Sequence, residues 1–156
     1  MRKNAFTLTE LIFVIIILGI LAVVAIPQYK NLKHQARVKS ILKTAYSGAQ
    51  QAYEAGTTLL YLENNSSFKL KDILSLRAKG WKYNASYKEG AYYYPNTAGN
   101  ISYASIVLVK SDGKYHLTFR IICDAFEDET EKQICHEIDD LYAISYFNGQ
   151  NEILEF

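Results

Sequence analysis

The sixteen residues from Leu11 to Ile26 contain no charged or hydrogen-bonding side chain. So long an apolar run exceeds any ordinary strand and reads as a helix that crosses a membrane or is buried in a bundle. As a helix it spans roughly 24 Å. An apolar bilayer core of about 30 Å is matched only if Phe6-Thr-Leu-Thr9 joins the span or the bilayer thins. Arg2 and Lys3 precede the run, and the positive-inside rule leaves them in the cytoplasm with the rest of the chain outside. The run does not stop in a clear cleavage site: Ala22-Val-Val-Ala-Ile-Pro27 leads into Gln-Tyr-Lys-Asn-Leu-Lys33, which continues as helix. The rival reading is an exported soluble domain released near Ala25 by ordinary signal peptidase.

Beyond Pro27, Val38, Ile41, Leu42, Ala45, Tyr46, Ala49, Ala52 and Tyr53 recur at steps of three and four, the mark of one apolar helix face. With Gly56 as a stop signal, a single helix is expected from Phe6 to Ala55, roughly 75 Å long. Residues 6–27 form its membrane half and 28–55 its amphipathic half. The opposite face carries Lys30, Lys33, Arg37, Lys39 and Lys43, a surface for solvent or phospholipid headgroups, with DNA as the alternative.

Residues 56–102 read as a connector rich in loop chemistry, including Asn64-Asn-Ser-Ser67, Lys79-Gly80 and Tyr94-Pro-Asn96, with a short helical turn over 70–76. Residues 103–156 carry three strand-like runs, Tyr103–Lys110, Lys114–Ile122 and Leu141–Phe147, and Asp112-Gly113 is a hairpin signal between the first two. An antiparallel sheet laid on the apolar helix face makes an α+β fold. Tyr92-Tyr-Tyr94 is either core packing or a stacking platform for DNA bases. The charge is segregated: 13 basic against 4 acidic residues in 1–88 gives +9, and 4 against 12 in 89–156 gives −8. Such a chain suits head-to-tail stacking with copies of itself.

The segment Ala5-Phe-Thr-Leu-Thr-Glu10-Leu11 and the apolar run after it resemble the prepilin signature of type IV pilins and type II secretion pseudopilins. Gly19, and Pro27 within Ile26-Pro-Gln-Tyr29, also stand where that family has them. The resemblance covers residues 5 to 30. It implies a basic leader, residues 1–5, removed between Ala5 and Phe6 by a prepilin peptidase that also methylates Phe6. It further implies an inner-membrane single span before assembly, and polymerisation through the helix into a pilus or pseudopilus with copies of itself and other pilins. Energy would come from a separate ATPase acting through an assembly platform. Glu10 would be neutralised by the Phe6 amine of a neighbour and set axial register, and the stretch from Gly19 to Pro27 would melt locally during assembly. Tip-type minor subunits often lack this Glu, so Glu10 points to a repeating or internal subunit. A competence-type subunit for DNA uptake is the alternative machine. The family has Gly before the cut where this chain has Ala5, small enough for the same pocket, so cleavage is expected and its rate is the open quantity. Thr7-x-x-Glu10 also fits a capping box, a purely local role for the same carboxylate.

Cys123 and Cys135, in a region expected outside the cytoplasm, read as one disulfide. A metal site from Cys123, Cys135, His136 and His116 lacks the paired short steps of structural zinc, and no metal site is assigned. Asp124, Glu127, Asp128, Glu129 and Glu131 form an acidic loop; calcium is the one cation considered there, although the Asp-x-Asp-x-Asp-Gly pattern is absent and no cofactor is expected. Asn65 lies in an Asn-x-Ser triplet that bacterial N-glycosylation would use. His34, His116 and His136 belong to no catalytic motif and no phosphate-binding glycine loop is present, so the chain is read as no enzyme.

Overall fold

The computed structural model describes residues 7–63, 65, 67–142 and 152–155. Helix α1 runs without interruption from Leu8 to Tyr61, about 80 Å at the usual rise. It passes through Pro27, whose ring leaves the Val23 carbonyl without its intrahelical donor. It also passes through the expected stop at Gly56, which is buried, so packing overrides the intrinsic cost of glycine in a helix.

A one-turn helix, α2 (Leu70–Ile73), follows, and then the strands β1 (Lys82–Asn84), β2 (Ala91–Pro95), β3 (Ser102–Ser111) and β4 (Lys114–Ile121). A 3-10 turn at Cys123–Ala125 leads into helix α3 (Glu129–Tyr142), and a last strand, β5, covers Glu152–Glu155. The strands β1 to β4 form an antiparallel meander, to which β5 adds at the β4 edge. This is the expected α+β pilin-like arrangement of a long helix on an antiparallel sheet.

Three details differ from the sequence reading. The region 56–102 is not only a connector, because α1 extends into it and β1 and β2 are sheet strands. The acidic loop after Cys123 ends at α3, which takes in Glu129 and Glu131 and leaves Asp124, Glu127 and Asp128 in the turn before it. Leu141 and Tyr142 end that helix instead of starting a strand, and residues 143–147 of the expected third strand lie outside the described residues.

The core forms where the apolar face of α1 meets the inner face of the sheet. Val38, Ile41, Ala45, Ala49 and Ala52 are at most 2% exposed and oppose Ile106, Leu108, Leu117 and Phe119. The small residues let the helix approach closely: a Cβ on Gly48 would sit 2.9 Å from the ends of both Ile106 and Leu76. Asp112 and Gly113, with φ of 54° and 81°, close the β3–β4 hairpin in the double left-handed turn that matches strand twist. At the far end of the head, Phe68 stacks on Tyr115 at 4.2 Å and its amide donates to the Tyr115 hydroxyl at 3.1 Å.

Candidate functional site

The lower half of α1 has no partner among the described residues. From Leu8 to Leu32 every described side chain is exposed, and large apolar groups such as Leu8, Val23 and Tyr29 are more than 70% exposed. This is the one described helix long and apolar enough to cross a membrane. Burying a valine, leucine, isoleucine or phenylalanine side chain contributes roughly 1.5–3 kcal/mol, so the fifteen such groups from Leu8 to Leu32 strongly disfavour leaving this segment in water. The segment belongs in lipid or against other helices.

At its start, Thr7 and Glu10 form the expected capping box. The Thr7 amide and hydroxyl both donate to Glu10 Oε2 at 2.8 Å, and the Glu10 amide donates back to Thr7 Oγ1 at 3.3 Å. The local role is therefore met within one subunit through a single carboxylate oxygen. Gly19 faces open space, with nothing within 4 Å of where a Cβ would stand. Ala5 and Phe6 lie outside the described residues.

A second feature appears where α1 leaves the apolar stretch. Arg37, read from the sequence as part of an outer basic face, instead turns to α3 and donates both to Oε1 (3.1 Å) and to Oε2 (2.9 Å) of Glu131. His34 Nδ1 lies 3.1 Å from Glu131 Oε1 and 3.9 Å from Asp128. Glu131 is 2% exposed and is the buried charged residue among the described ones. Burial alone would lower the Arg37 guanidinium, but the Glu131 charge and its hydrogen bonds outweigh that and hold it above its usual range. The Tyr103 ring lies under Arg37 at 5.5 Å and stacks on Phe126 at 4.4 Å. The clamp thus joins α1, α3 and β3.

Each carboxylate of the supposed loop has a structural task. Asp128 accepts from the Thr130 and Glu131 amides and caps α3; the Glu131 amide, with help from His34, holds its acid below the usual range. Glu127 accepts from the Thr97 amide and hydroxyl and from Tyr103; the Thr97 hydroxyl is the main cause of its lowered value. Glu129 pairs with Lys132, and Asp124 with His136 at 3.4 Å. Among the described residues no group of three or more His, Cys, Asp or Glu side chains is placed to hold a metal ion. Cys123 and Cys135 are bonded to each other (S–S 2.01 Å), which removes both from any metal set and pins α3 to the end of β4.

Lys30, Lys33, Lys39 and Lys43 remain on the exposed face of α1 as expected. Within the tyrosine run, Tyr92 is buried with its hydroxyl on the Leu74 carbonyl at 3.0 Å and Tyr94 packs on Trp81 and Tyr103, so these two serve the core. The sequence reading missed Glu131 as a clamp and α3 as a helix. Both had a signal: Glu131, Ile134, Cys135 and Ile138 fall at helical spacing, and Asp128-x-x-Glu131 is a helix-start pattern.

A family model described as the prokaryotic N-terminal methylation motif matches residues 1–26. It is the prepilin-type signature of type IV pilins and pseudopilins. The match spans the basic leader, Glu10, Gly19 and the apolar run, and supports a type IV pilin-like or pseudopilin-type secreted subunit. Comparison with curated proteins and with solved structures returns no match.

Proposed function

We propose that a chain with this signature and this half-bare helix is the repeating structural subunit of a type IV pilus or of a type II secretion-like pseudopilus. It is held first in the inner membrane as a single span with its head on the far side. A prepilin peptidase cuts between Ala5 and Phe6 and methylates Phe6. An assembly platform driven by a separate cytoplasmic ATPase then transfers the helix from lipid into a bundle of like helices. The subunit performs no chemistry of its own.

The observation that carries the reading is the uncovered apolar face from Leu8 to Leu32, directly continuous with the helix that organises the head. Extraction into water is prohibitive, so the same surface must exchange one apolar partner for another. A filament whose subunits repeat along a screw axis supplies that partner. Glu10 fits the exchange. A carboxylate at the mouth of an apolar span calls for a partner, and only one of its oxygens is used by the capping box. The other is available to the amine created at Phe6 of a neighbouring subunit.

The test is the intact mass and N-terminal sequence of the protein from membranes, together with filament yield from a Glu10→Ala strain. A mature chain beginning at Phe6 with one added methyl, and an inserted but poorly assembling Glu10→Ala variant, are expected. A chain beginning near Pro27 would mean an exported soluble domain instead, and abundant filaments from Glu10→Ala would remove the register role.

A further inference from the structure

The fold gathers a basic flank that the sequence pattern scatters. Lys69, Lys71, Arg77, Lys79, Lys82 and Lys88 are all exposed, and none makes an ion pair among the described residues. Backbone contacts bring the segments that carry several of them to the β1 end of the sheet. The Leu70 amide donates to the Glu89 carbonyl at 2.8 Å, setting the start of α2 beside the β1–β2 turn that holds Lys88. The Lys71 backbone and Asp72 are near neighbours of the Tyr83 hydroxyl on β1. The Trp81 amide closes a turn on the Ala78 carbonyl at 3.2 Å, with Lys79 inside the turn and Lys82 just after it at the start of β1. Among the described residues β1 pairs with β2 alone and ends the sheet, an edge carrying lysine as such edges commonly do.

The same chain has a complementary surface elsewhere. Four of the six residues from Asp124 to Glu129 are acids, all exposed, at the turn into α3. Asp124 and Glu129 keep 71% and 85% of their side-chain surface open beside their pairings with His136 and Lys132. No ion pair joins this corner to the basic flank within one subunit among the described residues. Near-zero net charge with strong segregation favours association between copies over capture of a polyanion, which the acidic corner would repel.

We infer that the β1-edge flank, centred on Lys79 and Lys82, docks on the acidic corner at Asp124–Glu129 of a second copy of this chain. The contact is heterologous, so it repeats without closing. It rests on the filament reading and specifies which head surfaces meet in it.

Charge reversal with reciprocal rescue in the full-length chain tests the contact in cells that make the filament. K79E with K82E, or D124K with E129K, is expected to lower sheared-filament yield about tenfold; all four changes together restore most of it. Normal assembly by both reversed pairs, or no recovery on combining them, overturns the contact while wild-type filaments leave the filament reading standing. A wild-type strain without filaments overturns that reading and the contact with it. If the flank variant assembles normally but loses salt-sensitive retention of duplex DNA, the flank belongs to nucleic acid and the inference fails. For variants that do not reach wild-type levels in the membrane, zero-length carbodiimide cross-linking of wild-type filaments built from mixed isotopically labelled subunits decides. Peptides joining Lys79 or Lys82 of one copy to Asp124 or Glu129 of another are expected, and a cross-link map lacking them is a refutation.

Discussion

Removing either side of the Arg37–Glu131 clamp destabilises the head, and the two sides differ in a way the structure sets. Glu131 is 3% exposed in its side chain, whereas Arg37 is 40% exposed. In Arg37→Met the carboxylate stays buried with only His34 beside it, and breaking a buried pair from that side costs roughly 3–5 kcal/mol. In Glu131→Gln the guanidinium can turn to water, so the loss reduces to its charge-assisted hydrogen bonds, about 2 kcal/mol. Replacing both by methionine removes the desolvated charge along with its partner, and the double variant is expected to be more stable than Arg37→Met alone. The assay is thermal unfolding of the full chain in detergent at neutral pH, where roughly 4 °C of melting temperature corresponds to 1 kcal/mol for a head of this size. Expected falls are therefore roughly 8 °C for Glu131→Gln and 12 °C or more for Arg37→Met. Falls of similar size in the two single variants, with a double-methionine variant no more stable than Arg37→Met, would refute the idea that the burial of Glu131 governs the clamp.

Gly90 has a φ of +117° and a Cβ there would stand 2.5 Å from the Tyr83 hydroxyl. Gly90→Ala should cost about 2 kcal/mol or more in the same melt, whereas Gly113→Ala, with φ +81° and open space, should cost only about 1 kcal/mol of backbone strain. Replacing Cys123 and Cys135 with serine should remove about 3 kcal/mol, and reductant should lower the melting temperature of the wild type but not of that variant. Acid should destabilise the head through Asp128 and Glu127. Their folded-state values are depressed, so their contribution is complete above the ordinary carboxylate range and is lost as pH falls through the depressed values. Asp128→Asn should flatten the fall in melting temperature between neutral pH and pH 2; an unchanged slope would mean that the cap does not couple to folding.

Where structure is built from neighbours in sequence, it could be read there. Val38, Ile41, Ala45, Ala49 and Ala52 mark the buried face of α1 because helical spacing is a local property, and Asp112-Gly113 marks its hairpin because both residues tolerate left-handed backbone. Gly56 misled because its effect depends on what packs there. β1 and β2 were hidden for a related reason. Lys82-Tyr-Asn84 is too short to show alternation, and Ala91–Pro95 contains a proline that a strand admits only where its missing amide is tolerated, here at the β-bulge facing Ser102.

The same distinction separates the two halves of the candidate site. Thr7, Glu10, Gly19 and Pro27 lie on one continuous helix, where position along the chain is position along the axis, so a spacing pattern carries the geometry. The clamp has no such pattern, since Arg37 and His34 reach Glu131 across 94 and 97 residues. Arg37 therefore looked like one more exposed base beside Lys33 and Lys39, and Glu131 like one more solvated acid. Burial marks out Glu131 alone, and its two hydrogen bonds mark out Arg37 from the exposed lysines beside it. A chain of segregated charge thus buries one carboxylate against an opposite charge, at the place where the helix leaves the apolar layer. The exposed Lys69, Lys71, Lys79, Lys82 and Lys88 make no ion pair among the described residues and stay open to another molecule.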